Sequence, residues 1–228
     1  MAPESQSSPR FFVLEDGAGG SHDTEFTRLG DNVGEAPRCP QCGDIIGKRS
    51  WLPPYRVTLE LYGEDFADFI KGFGPKLLVT ERFADAFRAE GLTGFQGFQP
   101  VDVAKVRRQR HRPKPPNVPR YFYVTPAFGS AAVDEAHSRI QRSEPISCDW
   151  CRMTGVDAIQ GFALEPESWS GEDVFIARGL PGTLIVSERF ARFAAAHGLT
   201  HMRLTPTEQY AWDPRAPRPP PPTPLGQA

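Results

Sequence analysis

Four cysteines in two Cys-x-x-Cys pairs are the residues of this chain best suited to chemistry. The first pair lies in Cys39-Pro40-Gln41-Cys42-Gly43 and the second in Cys148-Asp149-Trp150-Cys151, and the 228-residue sequence has no other cysteine. Two residues between thiols let both sulfurs reach one ion, and two such turns complete the tetrahedral shell that Zn²⁺ prefers. Four protein sulfurs leave no position for water or substrate, so the expected role is structural: one zinc per chain, held by Cys39, Cys42, Cys148 and Cys151. Gly43 suits a tight turn that points N–H groups at sulfur, whereas Arg152 after the second pair points to a looser turn or a degraded site. The alternative is two reduced thiol pairs without metal. A redox pair would need a depressed thiol pKa at a helix start, and no apolar helical run follows Cys42.

The two pairs are too far apart for a compact zinc ribbon, and an internal repeat shows how they could meet. Leu77-Leu78-Val79-Thr80-Glu81-Arg82-Phe83-Ala84 matches Leu184-Ile185-Val186-Ser187-Glu188-Arg189-Phe190-Ala191 at an offset of 107 (184 − 77). The cysteines recur at 109 (148 − 39), and Arg10-Phe11-Phe12 recurs as Arg120-Tyr121-Phe122 at 110 (120 − 10). Gly63-Glu64-Asp65 recurs as Gly171-Glu172-Asp173 at 108 (171 − 63). A slowly drifting offset describes one collinear duplication with small loop deletions, two long copies and not a solenoid array. Pseudo-twofold packing of the copies would bring equivalent turns together. The chain therefore reads as a flexible N-terminus (1–9), a first repeat (10–104), a basic Pro-rich linker (105–119), a second repeat (120–207) and a Pro-rich tail (208–228).

Within each copy the pattern predicts how the cysteines are positioned. Residues 10–14 and 120–124 are short aromatic and β-branched runs that suit opening strands. About 25 polar residues then lead to each cysteine pair, which suggests irregular loops over 15–36 and 126–146. Tyr55–Tyr62 alternates in period two like a half-buried strand, and Asp65–Lys71 could be a short helix. Lys76–Val79 and Thr183–Val186 read as strands that run into helices capped by Thr80 and Ser187. Glu81 and Glu188 favour the helix dipole, and Gly91 and Gly198 suit left-handed exits. Phe83/Ala86/Phe87 and Phe190/Phe193/Ala194 form the apolar stripes. The expected fold is α+β: two tandem-duplicated similar lobes joined through a shared four-cysteine zinc site, with a common sheet or only an interface between them.

No catalytic constellation emerges from the remaining residues. The histidines His22, His111, His137, His197 and His201 have no regular spacing to carboxylates, and His197 takes the place of Glu90 as a solvated helix-end residue. Glu81-Arg82 and Glu188-Arg189 are explained by capping charge and local ion pairs. Gly17-Ala18-Gly19-Gly20-Ser21-His22 lacks the Lys-Ser/Thr of a phosphate loop. The run from Lys105 to Lys114, with Arg107, Arg108, Arg110 and Arg112, is a solvated linker or a contact for an acidic partner.

Composition narrows the class further. A net charge of −2 argues against a protein built to coat nucleic acid. No apolar run is long enough to span a membrane, and Met1–Pro9 lacks the apolar region of a secretory signal. A cytoplasmic location is expected, and in that compartment paired cysteines bind metal or act in catalysis more often than they form structural disulfides. Eleven of the 24 prolines lie in the linker and tail, namely Pro113, Pro115, Pro116, Pro119 and seven between Pro214 and Pro224.

The double Cys-x-x-Cys motif, each copy followed by [Leu/Ile]-Val-[Ser/Thr]-Glu-Arg-Phe and a Gly-Leu-Thr exit, resembles the double-CXXCG motif proteins of myxobacteria. That family includes immunity proteins of the Sit toxin–immunity systems. Its motif maps onto Cys39, Cys42 and Gly43, then Cys148 and Cys151, with Arg152 departing from the final Gly. The resemblance implies a cytoplasmic, non-enzymatic protein that binds and neutralises one cognate protein toxin, with no membrane or nucleic-acid partner. Two rivals stand beside it: a zinc-stabilised nucleic-acid-binding or regulatory protein, and a thiol–disulfide enzyme.

Overall fold

The computed structural model describes residues 9–17, 19–72, 76–108 and 117–215. The expected N-terminal arm, most of the linker and most of the tail (1–8, 109–116 and 216–228) lie outside the described residues. Among those described, the chain forms β1 (Phe11–Asp16), β2 (Thr24–Arg28), β3 (Arg56–Leu61), β4 (Phe69–Lys71) and β5 (Leu77–Thr80), which leads into helix α1 (Glu81–Ala89). Next come β6 (Phe95–Arg108), β7 (Tyr121–Asp134), β8 (Ile140–Arg142), β9 (Val156–Gln160), β10 (Ala163–Leu164) and β11 (Val174–Arg178). Finally β12 (Ile185–Ser187) runs into helix α2 (Glu188–Ala196), followed by β13 (Met202–Pro206) and β14 (Ala211–Trp212).

The strand-to-helix units form as their residues dictate. The Thr80 and Ser187 hydroxyls accept hydrogen bonds from the backbone N–H groups of Phe83 (3.3 Å) and Phe190 (3.2 Å). Each satisfies a first-turn donor that the helix itself cannot pair. Gly91 and Gly198 leave the helices with φ of 63° and 53°, where a side chain would be strained. Phe83, Ala84 and Phe87 are buried on α1, and Phe190, Phe193 and Ala194 on α2. The first stripe thus takes in Ala84, with Ala86 only partly buried.

The expected α+β pair of lobes is overturned. The fold is mostly β: among the described residues eleven strands lie in one curled mixed sheet whose main path is β13-β1-β12-β11-β7-β6-β3-β2. β4, β5 and β10 branch from it, and β14-β9-β8 form a small second sheet. The matched segments are interleaved across this sheet. β1 pairs antiparallel with β12, and Glu188 N–H donates to the Arg10 carbonyl. β7 pairs antiparallel with β5, and Glu81 N–H donates to the Arg120 carbonyl. Each opening strand therefore lies against the strand–helix unit of the other half. The helices share one core, with Phe83 and Phe190 ring centroids 6.2 Å apart and Phe87 and Phe193 6.1 Å apart. Periodicity assigns an element its type but not its partner across the sheet.

Four local expectations also change. Asp65–Lys71 is not a helix: Phe66 to Ile70 are buried one after another, and their backbone groups are satisfied from outside. Ala67 N–H donates to Thr24 Oγ1 (3.1 Å), Tyr121 Oη donates to the Ala67 carbonyl (2.7 Å), and Asp68 N–H donates to Thr200 Oγ1 (3.1 Å). The loop expected at 126–146 is largely strand, because β7 continues to Asp134 with Ala131, Ala132 and Val133 buried and β8 follows. The loop expected over 15–36 likewise contains β2. Lys105 to Arg108, assigned to the linker, belong to β6, which leaves β7 after Val101 and pairs in parallel with β3 from Asp102.

Candidate metal centre

Both Cys-x-x-Cys segments fold as the same tight turn. Gly43 N–H donates to the Cys39 carbonyl and Arg152 N–H to the Cys148 carbonyl, each at 2.9 Å. The residue after each pair is left-handed, with φ of 81° at Gly43 and 53° at Arg152. The looser turn expected at Arg152 is therefore not found. Its guanidinium donates to the Val133 carbonyl (2.9 Å) and to Glu165 Oε1 (2.6 Å), contacts that offset the roughly 1–2 kcal/mol cost of that backbone shape in a residue with Cβ.

The turns meet although 109 residues separate them. Cys39 Sγ lies 3.8 Å from Cys148 Sγ, and Cys42 Sγ lies 3.7 Å from Cys151 Sγ. All four sulfurs lie within 4.8 Å of one another. A tetrahedron with metal–sulfur bonds of about 2.3 Å has sulfur–sulfur edges of about 3.8 Å, whereas a disulfide requires about 2.05 Å. The four thiols are free of disulfides, and the cluster could hold a metal ion. Cys39, Cys148 and Cys151 are buried and Cys42 is exposed. Ile46 packs among them, and Phe128, Trp150 and Met153 surround the cluster. Trp150 stacks on Phe128 at 5.7 Å and carries the Arg178 guanidinium on its other contact at 4.6 Å.

The electrostatics suit a cation. Burial opposes ionisation of Cys39, but the N–H groups of Cys42 and Gln41 and neighbouring thiols outweigh it, and its pKa falls to about 7. Gln41 N–H points at Cys39 Sγ from 3.4 Å. At Cys42 the Asp44 N–H favours the thiolate, yet desolvation and the Cys39, Asp44 and Cys148 side chains prevail and push the pKa up. Burial first, with Cys148 and Cys39, raises Cys151. Thiolates this close repel one another, and a divalent cation relieves that repulsion. Neither turn opens a helix, unlike the helix-start site that lowers thiol pKa in redox pairs.

The other residues singled out in the sequence fall elsewhere. Arg82 and Arg189 do not pair with the preceding glutamates; they pair with buried Asp68 and Asp173. Asp68 accepts from Thr80 Oγ1 (2.8 Å) and Asp173 from Ser187 Oγ (2.8 Å). The counterpart of Asp173 is therefore Asp68, at an offset of 105 (173 − 68), and not Asp65. His197 caps α2 and contacts the Glu90 side chain that ends α1. His137 pairs with Asp134 at 2.7 Å on the surface, and His201 Nδ1 lies 3.0 Å from the Phe69 carbonyl. His22 contacts Ser21, and His111 lies outside the described residues. No helix among the described residues is long and apolar enough to cross a membrane.

The immunity protein family (Imm11) matches this chain over residues 53–209, well over half its length. The matched stretch contains both Glu-Arg-Phe helices, Cys148 and Cys151, and begins after Cys39 and Cys42. No curated protein sequence matches the chain.

Proposed function

The chain belongs to the immunity protein family (Imm11), and on that premise we propose that it binds one cognate antibacterial protein toxin and neutralises it stoichiometrically, without turnover. Family membership carries this reading. Two features are consistent with a binder. Among the described residues four sulfurs form a cluster that a tetrahedral ion would saturate. The buried carboxylates Asp68 and Asp173 are occupied by internal hydrogen bonds. The finer assignment, a cytoplasmic relative of the myxobacterial double-CXXCG proteins that arose by tandem duplication, rests on the paired motifs and belongs to the same proposal.

In this reading Cys39, Cys42, Cys148 and Cys151 hold one structural Zn²⁺. The ion neutralises the thiolates and ties the loop after β2 to the loop after β8, a link that favours the folded chain over the unfolded one. Neutralisation would come from covering the toxin's active site or holding it in an inactive conformation. The test is co-expression with the toxin encoded beside this gene, together with pull-down. Rescue of growth with a recoverable complex is expected. Rescue without a complex would point to an enzyme that disarms the toxin, and failure to rescue would remove the immunity reading.

A further inference from the structure

A groove of about 260 Å³ lies beside the first cysteine turn. Its walls come from the loop after Cys42, the start of β5, and the middle of β7. Ile46, Phe128 and Ile176 supply an apolar surface, and Lys48, Arg49 and Lys76 supply three cations, with no carboxylate among the lining residues. Among the described residues neither Lys48 nor Lys76 has an ion-pair partner, although acidic residues are slightly in excess over the whole chain. Burial, then repulsion from Arg28 and Lys48, holds the Lys76 ammonium below its ordinary pKa. Lys48 and Arg49 are exposed, Lys76 is half-buried, and Arg49 Nε donates to the Gly34 carbonyl (3.0 Å), so the groove presents accessible positive charge beside apolar surface, to which a carboxylate is the complementary partner.

The second half of the chain has a related groove with different chemistry. It is lined by Thr183, which takes the place of Lys76 at the offset of 107 (183 − 76), and by Lys71 and Glu15, one cation and one carboxylate. An excess of cations with no carboxylate is therefore a feature of the first groove and not of the second.

We propose that the groove of Lys48, Arg49 and Lys76 is the docking site for an acidic segment of the cognate toxin, an Asp or Glu side chain flanked by apolar residues. The carboxylate would meet the three cations while its neighbours cover Ile46, Phe128 and Ile176. Because Ile46 also packs on the cysteine cluster, loading of that cluster would shape one wall of the site. This inference rests on the binder reading above.

The test measures binding of the full chain to the protein encoded beside its gene, by titration calorimetry at low and high salt. The wild type should bind, with affinity that falls as salt rises. Lys48→Glu/Lys76→Glu should weaken binding roughly tenfold or more, Lys48→Arg/Lys76→Arg should stay near wild type, and Arg192→Glu on α2 should change nothing. If the double reversal fails to fold, Lys48→Glu alone decides, since Lys48 is exposed. Wild-type binding with no loss on reversal would overturn the groove assignment and leave the binder reading standing. No binding by the wild type would remove the binder reading and the groove with it.

Discussion

Asp68 Oδ2 accepts hydrogen bonds from both the backbone N–H and the hydroxyl of Thr200, each 3.0 Å long, across 132 positions of sequence. The relationship is returned from the other half, where Asp173 Oδ2 accepts from the Thr93 N–H at 3.0 Å. Each carboxylate holds the cap of its own helix and the exit loop of the other. Arg82 and Arg189 add to this exchange by reaching the helix-end carbonyls of His197 (2.9 Å) and Gly91 (3.4 Å). The two helices are locked to each other by charge at their ends and by phenylalanine between them.

The carboxylates should matter more than their arginines. Asp173 has a side chain only 2% exposed while that of Arg189 is 50% exposed. Asp173→Ala strands a buried hydroxyl and an N–H and should cost on the order of 3 kcal/mol. Arg189→Ala should cost roughly 1 kcal/mol. Urea unfolding of both variants checks this, and equal losses would contradict it.

A single shared core predicts coupling between halves. Phe83→Ala and Phe190→Ala should each cost roughly 3–5 kcal/mol. Their rings are in contact across the helix pair, so the double variant should depart from additivity by more than about 0.5 kcal/mol. Additive losses would instead describe two independent lobes.

The helix stops and starts were legible because their cues are local. A Thr or Ser followed by Glu-Arg-Phe and closed by Gly reads as a capped helix whatever surrounds it, and both such units occur. The cysteine turns were legible by type, and the four sulfurs lie together as one cluster, although not through the packing of two separate lobes. What was lost depended on partners distant in sequence. Phe66-Ala67-Asp68-Phe69-Ile70 has the residues of a short helix, yet Thr24, Tyr121 and Thr200 take up its backbone groups. The Gly63-Glu64-Asp65 match hid Asp68, because three extra residues shift the offset between Gly63 and the buried carboxylate. The exchange of β1 and β7 has no local signature, since either strand would alternate in the same way against either neighbour.

Metal retention should depend on pH in one direction. Each thiol must lose its proton to hold the metal, so binding strengthens as pH rises and weakens as protons return. Backbone N–H groups and neighbouring thiols lower the Cys39 pKa to about 7 while Cys42 and Cys151 are raised, so a chelator-coupled release assay should show metal leaving as pH falls below neutrality. Removing the metal at neutral pH should lower thermal stability. Unchanged stability in a metal-free, fully folded chain would refute the structural zinc, as would an elemental analysis far from one zinc per chain.

Arg152→Gly isolates the turn from the ligands. It relieves a left-handed residue and removes the contacts to Glu165 and Val133, effects of opposite sign. Metal stoichiometry should be unchanged and stability should shift by no more than about 2 kcal/mol. Cys148→Ser should abolish tight metal binding. Loss of metal in Arg152→Gly would mean that the guanidinium itself sustains the site.

The most direct test of the account is a titration of toxin activity with this protein. A stoichiometric binder removes activity in a straight line that reaches zero at one equivalent and does not change with incubation time. Complete loss of toxin activity at a small fraction of an equivalent, growing with time, would contradict it and identify an enzyme.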